Sequence, residues 1–321
     1  SPPPPPPPSP FFFYIILLPP LSTLFPYTTL FRSLVLGDFK FLGVPCHSIE
    51  LDDLKVFMAD DGSAKRIHFA TSHAHALRKD SRGKPFAWFN VPFRNTIEPL
   101  MKKELGSSNF ALFLSKTTDK PFRMVFNEKE YEDILAFMGK YKDIVFLRDC
   151  LDLSLSLSMN RIDENTRTEI GELEYQAKYH PESSEYSNVI ASLTERMQGF
   201  LDSIPFFKDA DYICVVPSSH AFVREIVSGL KGFDFSDISS SLSWNKTSEL
   251  KNAESLEDKL DALLNSHLLI ADEVDLKEKS ILLVDDLYKS GLTMQYVAMM
   301  LKNAGCSRVF GLTLVKSLGN N

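Results

Sequence analysis

Cysteine is scarce in this 321-residue chain: Cys46, Cys150, Cys214 and Cys306 lie far apart and form no Cys-x-x-Cys pair. That spacing argues against a zinc ribbon or disulfide frame and fits scattered thiols of a reducing, cytoplasmic compartment. Long basic runs are absent and the formal net charge is −7. Dedicated nucleic-acid binding through a strongly positive surface is therefore not indicated, although local patches stay open. No Gly-x₄-Gly-Lys phosphate loop and no Ser-His-Asp arrangement is present. The apolar run over residues 11–18 is too short to span a bilayer and has no basic n-region before it, so no membrane attachment is expected.

What is present suits a globular protein of two domains, with 44% hydrophobic residues to build cores. Residues 1–33 stand apart. The first ten are nearly all proline, and the stretch from Thr23 to Ser33 resembles the conceptual translation of a sequencing adapter. They are read as an artefact, the alternative being a Pro-rich disordered tail. Residues 34–165 mix short apolar runs (110–114, 144–147) with helical spacing over 131–138, which predicts a smaller N-terminal α/β or α+β domain. His73 and His75, near His68, read as surface histidines, because no third metal ligand falls at a recognised spacing. Trp88, among Phe86, Phe89 and Phe93, reads as core and not as a base-stacking platform.

Strict alternation over residues 151–158 predicts a half-buried strand. A domain boundary is placed near residue 165, leaving 166–321 as the second domain. Within it, residues 173–179 read as a helix that Pro181 ends, and Val189, Leu193, Met197 and Phe200 form the stripe of another. Residues 212–216 form a near-continuous apolar strand followed by Pro217, Ser218 and Ser219 and a helix. Residues 281–284 form a second such strand and 309–315 a third, with Lys316 beyond it. Strand, small-residue turn and helix in this order predict a doubly wound parallel sheet.

The densest signal is Ile281-Leu-Leu-Val-Asp-Asp-Leu-Tyr-Lys-Ser-Gly-Leu-Thr293. A buried strand delivers two carboxylates to its C-terminal end, where open α/β sheets bind ligands. The turn after it offers backbone N–H groups and two hydroxyls ahead of a helix N-terminus, which favours anions. This run resembles the phosphoribosyl-pyrophosphate (PRPP) signature of the type I phosphoribosyltransferases, and every position of that pattern is met. The resemblance implies a phosphoribosyltransferase-type α/β fold. It also implies ribose hydroxyls and Mg²⁺ on Asp285 and Asp286, and a 5′-phosphate on Lys289, Ser290, Gly291, Leu292 and Thr293. Pyrophosphate is implied on Pro217, Ser218 and Ser219, whose plain reading is a helix start with a serine cap. Residues 239–254 match the family's mobile hood loop, with Lys246 and Lys251 as pyrophosphate contacts or solvated lysines.

The order of pieces, including Gly171-Glu-Leu-Glu-Tyr-Gln-Ala-Lys-Tyr179 and Val216 to Ser219, is most similar to the ComF-type, competence-associated branch. The Cys-rich ribbon of that branch is missing here. Lys289 stands where purine-salvage relatives carry an aspartate near the purine N7, which disfavours 6-oxopurine acceptors; its ammonium faces the 5′-phosphate or solvent. Two functions follow from the resemblance. One is transfer of phosphoribose to an unidentified acceptor with release of pyrophosphate. The other is a non-catalytic nucleotide-sensing or DNA-processing accessory role that keeps the ligand site. A homo-oligomer is compatible with either.

Overall fold

The computed structural model describes residues 48–58, 64–69, 77–106, 110–114, 121–218, 220–244 and 255–319. Residues 1–33, Cys46, His73, His75, Ser219, Lys246 and Lys251 lie outside these. The N-terminal region runs through helix α1 (Leu51–Met58), β1 (Arg66–Ile67), β2 (Arg78–Lys79), β3 (Phe86–Val91), α2 (Ile97–Leu105), β4 (Phe110–Leu114), β5 (Phe122–Asn127) and α3 (Tyr131–Lys140). Strands β2 to β5 make an antiparallel sheet in the order β2-β3-β5-β4.

The chain continues through β6 (Val145–Leu147), β7 (Leu153–Met159), α4 (Glu169–Tyr179), α5 (Tyr186–Ser203), α6 (Pro205–Lys208), β8 (Tyr212–Val215), α7 (Phe222–Ser228) and β9 (Ser236–Asp237). Then come β10 (Leu242–Trp244), α8 (Leu256–Leu264), β11 (Leu268–Ile270), β12 (Ser280–Tyr288), α9 (Leu292–Asn303) and β13 (Arg308–Lys316). A seven-stranded sheet runs β1-β6-β7-β13-β12-β8-β9. From β7 to β9 all neighbours are parallel; β6 and β1 add on antiparallel at the other edge. The α/β fold with a parallel-dominated sheet is thus the one the sequence pattern predicts.

Both faces of that sheet are covered. Leu282 and Val284 of β12 join a core built with α5, α7 and the inner face of the four-stranded sheet, whereas Ile281 and Leu283 join one built with α1, α8 and α9. Double burial explains why β12 reads as an unbroken apolar run. It also corrects the half-buried expectation for β7: Ser154 and Ser156 are both fully buried, because the strand lies inside the sheet beside β13. Strand β7 lies ahead of residue 165, yet it hydrogen-bonds to the C-terminal strand. The last strand runs on to include Lys316, which is 1% exposed and pairs with Tyr288, so Lys316 does not lie past the sheet.

Local sequence sets the helix ends. Thr168 Oγ1 accepts from Gly171 N at 2.9 Å and donates to Met159 O at 2.5 Å, tying the start of α4 to the end of β7. Ser255 and Asp258 form a reciprocal capping box at the start of α8. In β3, period-two alternation sends Phe89 into the core while Phe86 and Trp88 face the other way, so Trp88 is not a core residue.

Candidate active site at the end of strand β12

Strand β12 is longer than its neighbour β8, and the difference makes the cleft. Its pairing with β8 ends at Val284 opposite Val215, with Val216 N donating to Val284 O at 2.8 Å. Pairing with β13 continues to Tyr288 opposite Lys316. Beyond Val284 one edge of β12 is therefore released, just where β8 turns away through Pro217 and Ser218. This is the position outside the carboxyl ends of parallel strands where α/β folds hold ligands. Asp285 and Asp286 are the first two residues past the release point.

Asp285, Leu287, Tyr288 and residues 289–294 line one cavity of about 80 Å³. Gly291 forms its floor in the left-handed conformation, at φ 80° and ψ −2°, and caps α9. The first turn of that helix presents backbone N–H groups and the positive end of its dipole. Ser290 and Thr293 line the same cavity, as does the exposed Lys289, and Ser290 Oγ accepts from Leu292 N at 3.4 Å.

The two carboxylates occupy different environments. Asp286 Oδ2 is 2.6 Å from Lys178 Nζ on α4, and its Oδ1 accepts from Leu287 N at 2.7 Å. Asp285 Oδ1 accepts from Asp286 N at 2.9 Å, and the residue lines the cavity. Burial pushes the Asp285 carboxyl well above the usual range, the neighbouring Asp286 charge adds to this, and Lys178 opposes it. Lys178 also lies 3.6 Å from Glu174, whose carboxyl burial pushes up to about 7. Burial disfavours the Lys178 charge, yet the carboxylates of Asp286 and Glu174 outweigh it and hold its ammonium above its ordinary value.

A second buried network supports the loop from below. Tyr288 Oη donates to Asp149 Oδ2 at 2.9 Å, and Leu151 N donates to Asp149 Oδ1 at 3.1 Å. Burial raises the Asp149 carboxyl to about 6 despite these donors. Nothing in the local sequence around Asp149 signals this role, since its partner is 139 positions away. Lys178 was legible only as an i+4 neighbour of Glu174 on a helix.

Pro217 and Ser218 stand at the end of β8, outside the phosphate-loop cavity, with Ser218 Oγ accepting from His220 N at 3.3 Å. Strands β10 and β11 pair antiparallel. Trp244 ends β10 by donating to Ser266 and stacking on Tyr296 of α9, at 6.0 Å between ring centroids. Among the described residues no group of three or more metal-binding side chains occurs. Two carboxylates, one of them already paired with a lysine, fit a Mg²⁺ that keeps its waters and shares phosphate oxygens; they do not make a closed protein cage. None of the described helices is long and apolar enough to cross a membrane.

No curated protein matches this chain. Similar solved structures include a hypoxanthine-guanine phosphoribosyltransferase from Bacillus anthracis, at 18% identity and TM-score 0.28, covering 40% of this chain and 67% of that one. A hypoxanthine phosphoribosyltransferase from Staphylococcus aureus matches at 13% identity and TM-score 0.28, over 40% of this chain and 62% of that one. A structure described as the allosteric regulatory enzyme of purine biosynthesis matches at 13% identity and TM-score 0.32, over 71% of this chain and 45% of that one. The family model for the phosphoribosyl transferase domain matches residues 213–318, which hold most of β8, strands β10 and β11, β12 with its carboxylates, the loop after it and β13. Over residues 213–318 the chain is therefore similar to the phosphoribosyl transferase domain, within an α/β fold of that type.

Proposed function

We propose that this site binds Mg²⁺-PRPP and that the protein transfers phosphoribose to a nitrogen acceptor, releasing pyrophosphate. The observation that carries the reading is the shared cavity of Asp285 and residues 289–293 at the free end of β12. The loop N–H groups and the Ser290 and Thr293 hydroxyls hold the 5′-phosphate. Asp285 and Asp286 receive the ribose hydroxyls, Asp285 from the cavity side and Asp286 from its fixed position beside Lys178. Pyrophosphate is assigned to Pro217, Ser218 and Ser219, with Lys246 and Lys251 as the further contacts that the sequence resemblance implies. Asp285 and Asp286 are the residues that would hold Mg²⁺, which when bound would offset charge on the leaving pyrophosphate. Lys289 disfavours a 6-oxopurine acceptor, since a charged lysine cannot accept a proton. The proposed setting is cytoplasmic, and the order of pieces favours the ComF-type branch.

Calorimetry with PRPP, with and without Mg²⁺, tests the site. Wild type binds in a Mg²⁺-dependent way, and the double variant Asp285→Asn/Asp286→Asn binds roughly two orders of magnitude more weakly, from two lost charge-assisted bonds. Absence of affinity for PRPP or any ribose 5-phosphate compound up to millimolar concentration overturns the reading. The Lys178–Asp286 pair favours a second reading, a non-catalytic nucleotide sensor, because one carboxylate of the signature is already neutralised. Pyrophosphate release on addition of base or amine acceptors separates the two.

A further inference from the structure

The four-stranded sheet buries only one face. Ala87, Phe89, Val91, Phe122, Met124 and Phe126 point inward and are at most 2% exposed. The register defines what the other face carries: Arg78, Trp88, Val125 and Ala111 stand in one row, and Asn90, Arg123 and Phe113 in the next. Phe86 precedes Trp88 by two residues on the same strand, so their side chains lie about 6.6–6.8 Å apart along it. Phe86 is 45% and Phe113 56% exposed, and Trp88 is half-buried. None of these three rings belongs to either hydrophobic core.

The chemistry of this face is as uneven as its burial. In a chain of net charge −7, the paired positions of the outer face include two arginines and no carboxylate. The Arg123 guanidinium lies over the Trp88 ring, 5.7 Å from its centroid, and donates to Asn90 Oδ1 at 3.1 Å, which places a cation directly at the indole. The turn joining β2 and β3 adds exposed Arg82 and Lys84, while its one acid, Asp80, accepts from Arg82 N at 2.7 Å. Aromatic rings spaced along a solvent-facing antiparallel sheet, edged by cations, suit unpaired bases that stack while the backbone tracks the positive rim. A duplex offers no free base faces to such rings.

We propose that the outer face of β2-β3-β5-β4 is a docking surface for single-stranded nucleic acid, with Trp88, Phe86 and Phe113 stacking bases and Arg78 on the phosphates. The surface is independent of the phosphate loop and of the function proposed for it.

The test uses the full chain and fluorescein-labelled oligothymidylate, oligouridylate and duplex of about 12 nucleotides, a length within single-strand site sizes. Anisotropy is read at about 50 and 200 mM salt. Both single strands, or one of them if the sugar is recognised, bind more tightly than duplex, and affinity falls at the higher salt. Phe86→Ala/Trp88→Ala/Phe113→Ala weakens binding at least about five-fold, the smallest loss expected for one base–ring stack. Arg78→Glu weakens it and flattens the salt dependence. Matching thermal melts show that these surface variants stay folded, and quenching of tryptophan emission on binding, lost in Trp88→Phe, reports the stack directly. Three results overturn the proposal: no single-strand binding up to about 50 µM at the lower salt, duplex bound equally with the aromatic variants unaffected, or concentration-dependent self-association removed by those variants without any nucleic-acid binding. The last result would make the face a protein interface.

Discussion

Tyr288 occupies the space into which any side chain on Gly291 would project. A Cβ on Gly291 would stand 2.1 Å from both Cζ and the hydroxyl oxygen of Tyr288. The glycine is thus required twice, for its left-handed backbone and for the ring beneath it. The ring in turn is held by Asp149, so the loop after β12 rests on a carboxylate in the β6–β7 connection.

Gly291→Ala should destabilise the protein by about 1–3 kcal/mol from overpacking, and weaken PRPP binding with it. Tyr288→Phe keeps the ring but leaves Asp149 without its hydroxyl donor, at a cost of about 1–3 kcal/mol. Urea denaturation gives both values. A Gly291→Ala variant as stable as wild type would show that the ring moves freely and does not define the loop.

The Lys178–Asp286 pair leads to a second prediction. Its side chains are 14% and 12% exposed, so removing the ammonium strands a largely buried carboxylate next to Asp285. Lys178→Met should cost up to about 3 kcal/mol, the lower end of the range for fully buried pairs. Asp286→Asn combined with Lys178→Met should cost less than the sum of the single changes, because neither variant then leaves a lone charge. Additive losses in this double-mutant cycle would remove the coupling.

Two helical glycines should respond in opposite directions to alanine. Gly139 in α3 has open space where a Cβ would go, and Gly139→Ala should stabilise by about 0.5–1 kcal/mol. Gly171 in α4 lies against Asn160, whose carbonyl oxygen would be 2.0 Å from the new Cβ. Gly171→Ala should therefore lower the melting temperature and loosen the junction of β7 and α4, which carries Lys178. Equal melting temperatures for the two variants would contradict this packing.

Lys316 sets a pH dependence. Burial, with the nearby charges of Arg66 and Lys65, lowers its ammonium from the ordinary 10.5 to about 7. Between these values the unfolded chain binds the proton and the folded chain does not, so stability from this group rises with pH across that window. Below about 7 its penalty is fully present. Lys316→Met should remove the rise, whose slope is at most about 1.4 kcal/mol per pH unit. Denaturation at neutral and alkaline pH measures it, and parallel curves for wild type and variant would contradict a buried, depressed lysine.

Sequence alone determined the parts that are local in the chain. The run of residues 281–293 spells a doubly buried strand, adjacent carboxylates and a glycine-turned helix start, since each element draws its signal from neighbours within a few residues. The stripe of α5 was legible for the same reason. Tertiary structure decided everything that depends on distant partners. The alternation in β7 reads as a polar face, but two covered faces bury both serines. Trp88 reads as core, but the pleat turns it outward while Phe89 enters. Lys178 and Asp149 reach the site across 108 and 139 positions, and hydrogen bonds at that separation leave no periodicity in the sequence. The release of β12 beyond Val284, which opens the cleft itself, follows from the unequal lengths of paired strands, and only the assembled sheet displays it.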